Sequence, residues 1–131
     1  MLEHVQPPVD LAFAGLYEIL KPGGVLVLSV PHGPLNSQHI EHFPVMKNSE
    51  ILETPVKVFK GVDLNGKVRE FSNLVFHGGA GSTLEFRIFS ENSLRNYLTK
   101  SGFVNLRVQA HNKLIGASWE PWSRVWTAQK N

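Results

Sequence analysis

Six histidines and no cysteine set the chemistry open to this chain. Histidine titrates near neutrality and serves as base, acid or metal ligand. Without thiols, neither a disulfide nor a thiolate metal site can form. Three placements stand out. Pro31-His32-Gly33 closes an apolar run, and open α/β sheets present their ligand-binding groups where a strand passes into a loop. His32 there is a candidate general base, and a loop histidine bonded to backbone is the plainer alternative. His77 stands at the lip of the glycine cluster Gly78-Gly79-Ala80-Gly81, a second candidate by the rule that functional residues collect on loops. His39-Ile40-Glu41-His42 offers two imidazoles and a carboxylate, donors suited to zinc or iron. Its spacing is not H-E-x-x-H, and no rigid element is expected to carry it. A solvated loop is the expectation, and no metal site is assigned.

The glycine cluster does not read as a nucleotide-binding loop. Leu84 takes the place of the third glycine of G-x-G-x-x-G, and an extended segment follows where a helix is required. A turn or lid hinge fits better.

The elements that must position these groups are marked clearly. After Gln6-Pro7-Pro8, the apolar positions Val9, Ala12, Phe13, Leu16, Ile19 and Leu20 follow one helical face. Lys21 suits the helix C-terminus, and Pro22-Gly23-Gly24 stops it. The run Val25-Leu26-Val27-Leu28-Ser29-Val30 then reads as a strand buried on both faces, in the middle of a parallel sheet. Residues 34–55 read as a long irregular stretch. Asn65-Gly66 predicts a hairpin in which both turn residues take positive φ. Alternation from Thr83 to Phe89 puts Leu84, Phe86 and Ile88 on a buried side.

Ser90 predicts the N-cap of a second helix, with Phe89 and Leu94 at staple positions. Gly102 ends that helix, and Leu98 and Phe103 match the apolar contact of a Schellman cap. Val104, Leu106, Val108 and Ala110 alternate with polar residues as a half-buried strand, and a last strand runs from about Ser123 to Gln129. Trp119, Trp122 and Trp126 are expected to cover these last strands. The order predicts an α/β fold whose two final strands form a hairpin at the sheet edge.

At 131 residues, 42% apolar and 18% charged, the composition is that of one globular domain. A net charge of +2 with scattered Lys and Arg points away from a nucleic-acid partner. No apolar stretch has the length of a membrane span, and Glu3 and His4 stand where a signal peptide would be basic and then apolar. The expected location is the cytoplasm, with no membrane partner.

Leu2-Glu3-His4-Val5 together with "LYEILKPGGVLVLSVPH" (16–32) resembles the second half of class I S-adenosylmethionine-dependent methyltransferases of the small-molecule "type 11" kind. In that family LEHV follows the fourth strand, and the fifth strand follows L-K-P-G-G directly. "FSENSLRNYLTKSGF" (89–103) is similar to the family's next helix, and "HGGAGSTLEFRIFS" (77–90) resembles a segment of one bacterial subgroup.

The resemblance implies a partial Rossmann-like sheet, the fifth to seventh strands with two helices, in a single truncated domain over 1–131. Residues 33–89 become an inserted β-hairpin lid. It implies the substrate-side half of an enzyme acting on a small-molecule methyl acceptor, inactive alone. Leu2, Glu3 and His4 would lie beside the methionine end of S-adenosylmethionine, with His32 and His77 as catalytic candidates. The family's glycine-rich turn and ribose-binding acid belong to its first three strands, so cofactor binding by this chain is expected to be weak or absent. The unpaired edge of 25–30 should seek the other half or a second copy, as a homodimer. The alternatives from other classes are a non-catalytic module that docks through this strand and a histidine-based metal-binding protein.

Overall fold

A computed structural model of the chain describes residues 1–33, 38–53, 55–78 and 83–131. In chain order its strands are β1 (Val25–Ser29), β2 (Ile40–Glu41), β3 (Met46–Leu52), β4 (Val58–Asp63), β5 (Val68–Phe71), β6 (Phe76–His77), β7 (Thr83–Leu84), β8 (Arg87–Ile88), β9 (Phe103–Gln109), β10 (His111–Asn112), β11 (Ala117–Ser118) and β12 (Val125–Lys130). The helices are α1 (Asp10–Glu18) and α2 (Glu91–Lys100), with 3-10 turns at Leu2–His4 and Pro121–Ser123. The fold is mixed α/β, and its strands form small antiparallel sheets.

Both helices arise where the sequence puts them. On α1, Val9 and Phe13 are buried, and Ala12, Leu16 and Leu20 pack beside them. Ile19, the C-cap residue, departs from that expectation, with its side chain in solvent. Ser90 caps α2 in a reciprocal box with Ser93, its hydroxyl accepting from the Ser93 N–H at 3.0 Å. Phe89 and Leu94, the staple pair, are fully buried in one core. Gly102 closes the helix at φ +99°, with the Tyr17 ring 3.0 Å from where a Cβ would stand. Only glycine meets both demands.

The main sheet has the order β1-β12-β9, with β12 antiparallel to both neighbours. The last two strands pair antiparallel at one side of the sheet as expected, with β9 outermost. One expectation is corrected: β1 is a rim strand rather than the middle of a parallel sheet. Leu26 and Leu28 face the helices with Trp126 and Ala128, while Val25 and Val27 on the other face are 57% and 67% exposed. Both helices therefore pack on one face of the sheet, and its other face is open. At β9 a register shift opposite Thr127 and Gln129, with Asn105 at φ +54°, turns Phe103 inward and Val104 outward.

Between β1 and α2 the chain builds more than the expected hairpin. β3, β4 and β5 form a three-stranded antiparallel sheet over a cluster of Phe43, Phe59, Leu84 and Phe86. Strand β3 occupies a stretch read as irregular. Its polar run Lys47-Asn48-Ser49-Glu50 hides it, since Asn48 sits at φ +50° in a register shift against β4. The Asn65-Gly66 turn does join β4 to β5, but only Gly66 takes positive φ. The Gly66 N–H donates to Asp63 O at 3.0 Å, as in a type I turn whose bulge residue is glycine. The hinge expected at 79–81 lies outside the described residues. Among the described residues no helix is long and apolar enough to cross a membrane.

Candidate active site

The site forms where residues 84–88, returning from the insertion, cross the Leu2–His4 turn. The Phe86 N–H donates to Glu3 O at 2.8 Å, and His4 Nδ1 lies 2.9 Å from Leu84 O. Arg87 Nη1 donates to Leu2 O and Val5 O at 2.6 Å each, while its Nε meets Glu41 Oε1 at 2.7 Å. A planar guanidinium alone offers donors in this fork. The Leu-Glu-His turn is thus pinned by four backbone acceptors.

Alternation along 84–88 assigns Leu84, Phe86 and Ile88 to a buried side and leaves Glu85 and Arg87 on the other. Both are buried, and Arg87 has no exposed surface at all. Leu84 and Phe86 pack into the aromatic cluster of the insertion, and their odd-numbered neighbours face the Leu2–His4 turn. A strand enclosed by two structural units has no solvent side. Period-two reasoning assigns residues to faces, but it does not say what covers each face.

Glu85 is the centre of a histidine pair. His42 Nε2 lies 2.9 Å from its Oε1, and His77 Nε2 bonds its Oε2. The His77 ring meets the His4 ring edge-on at 5.1 Å. Glu3 is buried, and its Oε2 accepts from the Met1 ammonium at 2.7 Å. Burial pushes the Glu3 carboxyl up, but the hydrogen bond from that ammonium, a backbone hydrogen bond, and the charges of the ammonium and His4 together hold it below its ordinary value.

A cavity of about 290 Å³ opens beside these groups, lined by Glu3, His32, Glu85, Arg87, Ile88 and Trp122 among others. His32 is 3% exposed, with Nδ1 3.0 Å from Gly33 O. A carbonyl only accepts, so Nδ1 carries the hydrogen and Nε2 keeps its lone pair. That Nε2 has no partner among the described residues, and neither has Arg87 Nη2. A buried imidazole and a buried guanidinium therefore line one cavity, each with a nitrogen that has no partner among the described residues and almost no surface of its own.

Of the residues singled out from sequence, Glu3 and His32 line the cavity, while His4 meets Glu3 and His77 outside its lining. Leu2 takes part only through its carbonyl, because its side chain is in the main core. His77 joins through Glu85 and is not part of the cavity lining. His39 and His42 do not converge: His39 Nε2 turns to Glu41 at 3.1 Å and His42 to Glu85. Trp126 is in the core as expected, whereas Trp122 is exposed and lines the cavity. Glu85 and Arg87 are the functional residues that sequence reasoning missed. The available signal was two ionisable residues inside an otherwise apolar segment directly after His77 and the glycine cluster.

No family model matches this chain, and no curated protein matches it.

Proposed function

We propose that the chain is the substrate-side half of an S-adenosylmethionine-dependent methyltransferase domain acting on a small-molecule acceptor, with His32 as the base. The observation that carries this reading is that His32, a buried histidine whose Nε2 has no partner among the described residues, lines one cavity with Glu3 of the Leu-Glu-His turn. Methyl transfer needs an acceptor atom with an available lone pair, aligned on the methyl group. A histidine tautomer fixed by Gly33 O can take the acceptor's proton.

The cofactor supplies the electrophilic methyl group. Its methionine end carries an ammonium, and Glu3 puts a buried carboxylate in the lining of the cavity. In that respect the residues fit. The chain offers no G-x-G-x-x-G for the nucleoside end, which in this reading belongs to an upstream half. The main sheet is consistent with such a partner. β1 and β9 run in the same direction with β12 between them, both helices cover one face, and β1 leaves an apolar edge and face open. A partial Rossmann-like sheet, completed by strands beyond that edge, is the arrangement we infer.

Calorimetry with S-adenosylmethionine tests the proposal, on this chain and on the chain joined to an upstream half with a glycine-rich turn. Binding is expected only in the joined protein, with affinity kept but turnover of an acidic acceptor lost in His32→Gln. Absence of binding in both removes the reading. A second reading, a non-catalytic module docking through β1, is favoured by the exposed Val25 and Val27 alone.

A further inference from the structure

His4 and Glu3 pose a problem of hydrogen placement. His4 Nδ1 faces the Leu84 carbonyl at 2.9 Å and so carries a hydrogen. In the neutral ring Nε2 then bears a lone pair, and it stands 3.4 Å from Glu3 Oε1. The gap between them takes either a proton on Nε2, which makes an ion pair, or a metal ion. The separation exceeds the usual 2.7–2.9 Å or so of a charge-assisted hydrogen bond. It matches two ligands of one tetrahedral ion, which stand about 3.3 Å apart when each bond is about 2.0 Å.

His77 supplies the third donor. The ligand-capable atoms of Glu3, His4 and His77 lie within 4.8 Å of one another. His77 Nε2 is engaged by Glu85, the carboxylate that also takes His42. A carboxylate holding the far nitrogen of an imidazole is the usual outer support of a metal-bound histidine, fixing its tautomer and leaving the other nitrogen for the ion. His4 has the equivalent support from Leu84 O. Each proposed ligand is therefore oriented by a group behind it.

We propose that Glu3, His4 and His77 form a binding site for a divalent transition-metal ion, zinc above all. Two imidazoles and one carboxylate without thiolate are borderline donors that suit zinc and iron(II) better than magnesium or calcium. The ion takes Glu3 Oε1, which leaves Oε2 to its ammonium partner. Closing the widest pair to bonding distance requires side-chain shifts of about an ångström. Of the three ligands only Glu3 also lines the His32 cavity, so the ion's site adjoins that cavity through this one residue. The site does not depend on methyl transfer, so it stands or falls separately.

The test is calorimetric titration of the metal-stripped chain with zinc chloride. One ion per chain is expected, weakened about 10- to 100-fold or more in His4→Ala and His77→Ala, and about 10-fold in Glu85→Gln. His39→Ala, outside the cluster, should bind as the parent does. Absence of zinc binding, or equal affinity in His4→Ala and the parent, overturns the site. Nitrogen-15 spectra of the histidine rings in the unmutated chain guard against variants that fail to fold. Zinc should shift His4 Nε2 and one nitrogen of His77. If His4 keeps hydrogens on both nitrogens with zinc present, the pair is a plain ion pair and the proposal fails.

Discussion

Arg87 joins the two parts of the site through a single side chain. Its guanidinium is fully buried, holds Glu41, and ties down the carbonyls of Leu2 and Val5. Removing a buried partner leaves uncompensated polar groups, at a cost of about 3–5 kcal/mol. The Glu41 side chain is 33% exposed, and water offsets part of that loss. Arg87→Met should therefore destabilise the chain by about 2–4 kcal/mol in urea unfolding. Arg87→Lys should recover only a small part, because an ammonium cannot reproduce the fork. A loss below about 0.5 kcal/mol for Arg87→Met, the range of ordinary surface changes, would show that the clamp is not needed. His32 differs in kind. Its value lies in the nitrogen that makes no bond, so its substitution should alter ligand chemistry more than stability.

Among the elements, β1 carries the largest mismatch between sequence and surroundings. Its register with β12 pairs Val25 with Gln129 and Val27 with Thr127, so these valines share the uncovered face, and its outer edge has unpaired backbone groups. Edges of this type recruit strands. Sedimentation velocity of the isolated chain should reveal concentration-dependent self-association, reduced in Val27→Lys, whose folding free energy should stay within about 0.5 kcal/mol of the parent. A chain monomeric at high concentration would separate the exposed strand from any docking role.

The α2 segment behaves in the opposite way. Its capping box, staple and glycine stop all point to one structure, and the helix runs from the first residue after Ser90 to Lys100. Cap and stop are local features, which is why they were legible. The bulged β3 was not, because its positive-φ asparagine and polar run erase the alternation that announces a strand.

For the molecule as a whole, two apolar clusters share one segment. Leu84 and Phe86 belong to the cluster of the insertion, whereas Phe89, three residues on, belongs to the main core. Between them lie the residues that touch the Leu2–His4 turn, so the site exists only while both clusters hold. Phe59 is buried against Phe43 and Phe86, far in sequence from the site. Phe59→Ala should cost about 3–5 kcal/mol. Hydrogen exchange should then speed up at the Phe86 amide, which bonds Glu3 O. Unchanged protection there would mean that the insertion does not hold the site in place.

What the amino-acid order settled alone was everything encoded within a few residues. The helices and their caps, the position of the Asn65-Gly66 turn and the apolar strand at 25–30 all follow from period, propensity and backbone sterics. His32, His39, His42 and His77 stood out for the same local reason, since their chemistry belongs to the side chain itself, whereas Leu2, Glu3 and His4 were marked only by the resemblance. The placing of β12 between β1 and β9 was decided by pairing across about a hundred residues, which no local pattern records. The burial of Glu85 and Arg87 was decided likewise, because an ionisable group is kept inside only by partners brought from elsewhere in the chain.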